Sequence, residues 1–98
     1  MDSPPTARID LHGCSRPEAV RRLTRELHAC RVRRLSALLV ITGQGHGNRD
    51  REPVLRDHIE AWLRGPDARG LGILGFERTH RGGALAVRLA RPGDAPSG

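Results

Sequence analysis

Two stretches of this chain carry residue types that could do chemistry. Asp10 and His12 stand two apart in Arg8-Ile9-Asp10-Leu11-His12. On a β-strand that spacing puts both side chains on one face. A carboxylate beside an imidazole orients the ring and raises its basicity, so the histidine can take a proton from water or from a ribose 2′-hydroxyl. The second stretch is Thr42-Gly43-Gln44-Gly45-His46-Gly47-Asn48. Glycines at 43, 45 and 47 let backbone N–H groups approach an anion without side-chain obstruction. A helix N-terminus just beyond would add partial positive charge. The run lacks the Gly-Lys-Ser/Thr of a P-loop and the register of a dinucleotide fingerprint. Arg49, His80 and Arg81 are cations that could offset charge building up on a phosphate in a transition state. Each feature also has a plainer reading: a glycine loop that only turns tightly, an Asp10 that caps or turns the chain, a His12 that merely closes a strand.

Whether these stretches meet depends on the elements that carry them. Ala7–Leu11 alternates, with Ile9 and Leu11 on one side and Arg8, Asp10 and His12 on the other, which predicts a short strand. Gly13 breaks it. Ser15-Arg16-Pro17-Glu18 reads as a capping box opening a helix. Val20, Leu23, Leu27 and Cys30 form its apolar stripe, and Arg21, Arg22, Arg25 and Glu26 occupy the other face. Leu38-Leu39-Val40-Ile41 is apolar on both sides, as a central strand requires. A second helix starts near Pro53, buries Val54, Leu55, Ile59, Trp62 and Leu63, and stops at Gly65-Pro66. Ile73–Glu77 predicts a third strand, and Leu85, Val87 and Leu89 a fourth, joined through Gly82-Gly83 as a hairpin.

The order β-α-β-α-β-β implies a two-layer α/β sandwich. It has a four-stranded mixed sheet with both helices on one face. The first three strands then run parallel and end along one edge, the edge where open α/β sheets bind ligands. Asp10-His12, the glycine loop and Thr79–Gly83 are expected to converge there. Arg8, Asp10 and Arg88 are expected on the open face.

Composition narrows the function classes. The chain has 98 residues, 17 cationic and 11 acidic, for a net charge of +6, and a pI near 11.3. That length fits one domain, expected over residues 7–91 with flexible termini at 1–6 and 92–98. A strongly basic small domain favours a polyanionic partner, nucleic acid first, although all the cations are arginine, a bias that genome composition also produces. Solubility alone would also explain the sign of the charge. The longest apolar run, Leu38–Ile41, is far too short to span a membrane, and the N-terminus has no secretory pattern, so a cytoplasmic location is expected. Cys14 and Cys30 are too few for a disulfide framework, and no Cys/His pair has zinc-site spacing. Trp62 and Phe76 are the only aromatics, which leaves little for stacking single-stranded bases.

The three boxes together resemble a known family. Ile9-Asp10-Leu11-His12-Gly13 before a helix resembles the Leu-Asp-Leu-His-Gly box of Smr (small MutS-related) domains. Val40-Ile41-Thr42-Gly43-Gln44-Gly45 is similar to their Thr/His-Gly-x-Gly box, and Gly83–Leu89 to their closing Gly-x-x-x-Val-x-Leu strand. The likeness is to the standalone bacterial type. It implies a β-α-β-α-β-β fold related to the C-terminal domain of a bacterial translation initiation factor. It also implies an endonuclease that nicks DNA or cleaves RNA, with Asp10, His12, Thr42, Gly43 and Gly45 at the site. Some members need a divalent metal, magnesium or manganese, for which Asp10 is the ligand candidate. The chain departs from the family in carrying His80-Arg81-Gly82-Gly83 where Gly-Gly-x-Gly is usual, and in its extra His46-Gly47.

The leading expectation is a phosphodiester-cleaving, nucleic-acid-binding domain. Asp10 and His12 are its catalytic candidates. Thr42, Gly43, Gln44, Gly45, His46, Arg49, His80 and Arg81 are its phosphate contacts. The alternatives are a non-catalytic module that binds structured DNA or RNA, and a protein-interaction domain. In the last, the apolar residues of the central strand on the open sheet face would serve a monomer–weak dimer equilibrium.

Overall fold

The computed structural model describes residues 6–43, 52–79 and 83–90. In chain order these form β1 (Thr6–Asp10), α1 (Arg16–Val32), β2 (Ala37–Ile41), α2 (Glu52–Leu63), α3 (Pro66–Gly70), β3 (Ile73–Thr79) and β4 (Ala84–Leu89). The strands make one sheet in the order β1-β2-β4-β3. β1 pairs with β2 in parallel, while β4 is antiparallel to both β2 and β3. β1, β2 and β3 therefore run the same way and end at one edge, with β4 returning between the last two. This is the mixed α/β sheet that the alternation of apolar runs and capped helices implies.

β2 is paired on both sides, which explains its unbroken apolar run. Leu38 and Val40 point to the helices and are buried, with Leu85, Val87 and Leu89 of β4 beside them. They pack with Leu23, Leu27 and Cys30 of α1 and Leu55, Ile59 and Leu63 of α2 in one cluster. Burying each such leucine or isoleucine contributes about 1.5–3 kcal/mol, so this single layer of contacts fixes helices to sheet. The opposite face carries exposed Arg8, Asp10, Glu77 and Arg88 around half-buried Leu39 and Ile41.

α1 opens as its sequence requires. The Ser15 hydroxyl accepts from the Glu18 N–H at 3.3 Å, satisfying a donor the first turn would otherwise leave unpaired. At the far end Arg34 adopts φ 60° and the Leu35 N–H reaches back to the Cys30 carbonyl at 2.9 Å.

Two features differ from expectation. Gly65-Pro66 ends α2, but the same residues start α3, with Gly65 as N-cap and Pro66 in the first turn, where a missing N–H costs nothing. α3 buries Ala68 completely. β3 also runs on to Thr79, with a register shift between Ile73 and Gly75. Gly75 leaves room for the end of the Arg88 side chain, which lies over it. Among the described residues no helix is long and apolar enough to cross a membrane.

Candidate functional site

The C-terminal ends of β1 and β2 lie side by side. Asp10 pairs with Ile41, and the Leu11 N–H donates to the Ile41 carbonyl at 2.8 Å. One residue further, the N–H groups of Thr42 and Gly43 both donate to the Gly83 carbonyl at 3.0 Å. Three segments far apart in sequence thus meet at one sheet edge: Asp10–Gly13, Thr42–Gly43 and Gly83 ahead of β4.

Local turn chemistry fixes the first segment. The Cys14 N–H closes a turn onto the Leu11 carbonyl at 3.1 Å, and Gly13 sits at φ 81°, a conformation other residues adopt only with strain. The turn brings His12 back over Asp10. Asp10 Oδ1 lies 2.5 Å from His12 Nδ1 and also accepts the His12 backbone N–H at 3.1 Å. The hydrogen bond from His12 is the main cause that holds the Asp10 carboxyl below its usual range, with Arg22 contributing a smaller attraction and partial burial opposing both. With Nδ1 engaged by a carboxylate, the neutral imidazole carries its lone pair on Nε2, the tautomer a general base needs. Both side chains are more than half exposed, so the pair is within reach of a large substrate.

Thr42 is wholly buried, and its hydroxyl has no hydrogen-bond partner among the described residues. A buried polar group left so costs about 1–3 kcal/mol. Gly43 beside it has φ 98°. The remaining predicted phosphate-binding residues, Gln44, Gly45, His46, Arg49, His80 and Arg81, lie outside the described residues. The structure therefore brings Asp10, His12, Thr42 and Gly43 together.

Among the described residues no three of His, Cys, Asp and Glu come together as a metal site, and the Asp10 carboxylate is engaged by His12.

Arg22 is legible in sequence only as part of α1's charged face. In the structure its guanidinium donates to Cys14 Sγ at 3.2 Å, which places it next to the turn. Its signal in sequence is the three-residue spacing from Arg25, one helical turn along the same side. Glu60 and Arg78 carry no such signal. They form a two-pronged ion pair between α2 and β3, at 2.6 and 3.1 Å.

A family model for the Smr domain matches residues 9–90. Among solved structures, the crystal structure of the Smr domain of Thermus thermophilus MutS2 superposes with a TM-score of 0.67 at 28% identity, covering 85% of this chain and 96% of that one. No curated protein gives a significant match.

Proposed function

Because this chain belongs to the Smr domain family, whose members generally bind nucleic acid and in some cases nick it, we propose that it binds nucleic acid and cleaves phosphodiester bonds where β1 and β2 end. The observation that carries the reading is the exposed Asp10–His12 pair, 2.5 Å apart, standing next to Thr42 and Gly43. His12 is the general base. Its Nε2 takes the proton from the attacking oxygen, either water or a 2′-hydroxyl. That oxygen bonds to phosphorus, the bond to the leaving oxygen breaks, and the leaving oxygen takes up a proton. Asp10 orients the ring and stabilises the imidazolium that forms. The Thr42, Gly43, Gln44, Gly45 and His46 segment holds the phosphate through the backbone donors beyond Gly43, since the Thr42 and Gly43 N–H groups already donate to the Gly83 carbonyl. Arg49, His80 and Arg81 offset its charge in the transition state. The unpartnered Thr42 hydroxyl supports this assignment, since a buried polar group with no structural partner calls for an explanation.

The test is incubation of the protein with supercoiled plasmid and with folded RNA, each with chelator and with magnesium or manganese. Nicked circles or discrete RNA fragments are expected, and both are lost in His12→Ala. A cyclic phosphate end would identify the 2′-hydroxyl as nucleophile, and a 5′-phosphate facing a 3′-hydroxyl would identify water. Salt-sensitive binding without any cleavage would make this a binding module instead.

A further inference from the structure

β1 is one of the two edge strands of the sheet, and α1 contacts it. Between them lies a cleft of about 340 Å³, lined by Arg8, Ile9, Asp10, Arg22, Arg25 and Glu26. Arg22 and Arg25 are three residues apart on α1 and so project as neighbours from one wall, while Arg8 stands on the other. All three arginines are exposed. Asp10 belongs both to this cleft and to the pair with His12, so the cleft opens directly onto the candidate site. We propose that this groove is a second phosphate-binding subsite. In it Arg8, Arg22 and Arg25 hold the backbone of the nucleic-acid strand next to the bond being cut. The proposal rests on the nucleic-acid reading above and adds residues that neither the sequence boxes nor the glycine loop contain.

The chemistry of the walls favours a phosphodiester backbone over other ligands. Guanidinium groups pair with phosphate oxygens through two parallel hydrogen bonds. None of the described lining residues is aromatic, so bases have nothing to stack on, and recognition runs through the backbone without reading sequence. Of the two carboxylates present, Asp10 is engaged by His12. Both carboxylates oppose an anion, but three arginines outnumber them, and Glu26 stands on the same helix as two of the arginines. A groove that grips one strand beside the reacting phosphate also limits how far that phosphate can wander, which is where proximity accelerates a reaction.

The experiment measures binding of the full chain to a labelled single-stranded oligonucleotide by fluorescence anisotropy at several salt concentrations. Arg22→Ala/Arg25→Ala is compared with Arg33→Ala/Arg69→Ala, which removes the same charge from other exposed positions, at the end of α1 and in α3. Removing one cation that neutralises a phosphate lowers the slope of log K against log salt by roughly 0.7–0.9. The groove variant is therefore expected to lose about 1.5 from that slope and about tenfold or more in affinity near 0.15 M salt. The control should lose less than about 0.5 in slope. Arg8→Ala, on the opposite wall, should lower the slope by the share of a single cation, and it keeps the test intact if the double variant fails to fold. Glu26→Gln should bind more tightly than the unaltered chain. Equal losses in groove and control variants would overturn the groove and leave nucleic-acid binding standing. Polyglutamate displacing the oligonucleotide as well as unlabelled DNA does would overturn the backbone assignment. A chain that binds neither oligonucleotide, plasmid nor RNA would remove the underlying reading as well.

Discussion

Asp10 with His12 and Glu60 with Arg78 are both carboxylates held below their ordinary pKa by a hydrogen-bonding partner, yet their surroundings are opposite. Asp10 and His12 lie two residues apart, with side chains 51% and 62% exposed. Glu60 keeps only 6% of its side chain exposed and meets a partner eighteen positions away through two hydrogen bonds. Arg64 also approaches Glu60, at 3.9 Å. The second pair ties α2 to β3, and its geometry is the bidentate form that makes an ion pair worth more than a surface contact. The first pair joins neighbouring residues of one turn. It is exposed and lies outside the buried cluster that joins helices to sheet. A charged pair that carries no packing is the kind a protein can use for chemistry, and one bridging two elements is the kind it uses for cohesion.

The largest separation between the two should come from His12→Ala. Losing a general base lowers a rate by about 10²–10⁴-fold, so nicking should fall by that much while the melting temperature stays within the error of the unaltered chain. Glu60→Ala should do the reverse. It removes two charge-assisted hydrogen bonds from a buried site and is expected to cost about 2 kcal/mol in urea unfolding, with cleavage by the folded fraction unchanged. If Glu60→Ala abolished cleavage at full stability, the division of labour would be wrong.

Acid titration sharpens the same contrast. Glu60 has a folded-state pKa lowered from its ordinary 4.5, chiefly by the Arg78 hydrogen bonds, with Arg56 and Arg64 adding attraction and burial opposing them. A depressed carboxylate pKa contributes stability that is present above the unfolded value and lost as pH falls through the folded one. Unfolding midpoints should therefore drop below about pH 4.5 in the unaltered chain and more gently in Glu60→Gln. A parallel decline in both would assign the acid sensitivity to other carboxylates.

The same contrast explains what can be read from the chain without its structure. The Asp10–His12 pair is legible because its geometry is local, although β1 ends at Asp10 and it is the turn at Gly13, not a shared strand face, that brings the two side chains together. The succession of strands and helices along the chain follows from the apolar runs and caps, and the pairing of β4 with β3 from the hairpin expected between them, whereas β4's place beside β2 is set by packing that the sequence does not display. Glu60 and Arg78 are silent because each sits among ordinary surface-type residues in its own element. Only the packing of α2 against β3 brings them together, and no periodicity encodes a pair at that separation. α3 is hidden for another reason. Gly65-Pro66 is both a stop for one helix and a start for the next, and five residues are too few to show a stripe. The Arg8–Arg22–Arg25 groove is half legible, since the helix face is visible in sequence but the strand edge opposite it is not.

Asp10→Asn should give the smallest change in stability and, for that reason, the sharpest view of the exposed pair. Surface ion pairs contribute little, and here both side chains are more than half exposed, so the unfolding free energy should move by about 0.5 kcal/mol or less. Asparagine keeps an oxygen that can still accept the His12 backbone N–H, so the turn at Gly13 should survive. What disappears is the negative charge that orients the imidazole and steadies its protonated form. Cleavage should therefore fall clearly, though less than in His12→Ala, where the base itself is gone. Added to His12→Ala, Asp10→Asn should cost little more, because Asp10 acts only through the ring. Independent, multiplying losses would show that Asp10 reaches the reacting phosphate by a route of its own. A stability loss as large as that of Glu60→Ala would show that the exposed pair carries structure after all.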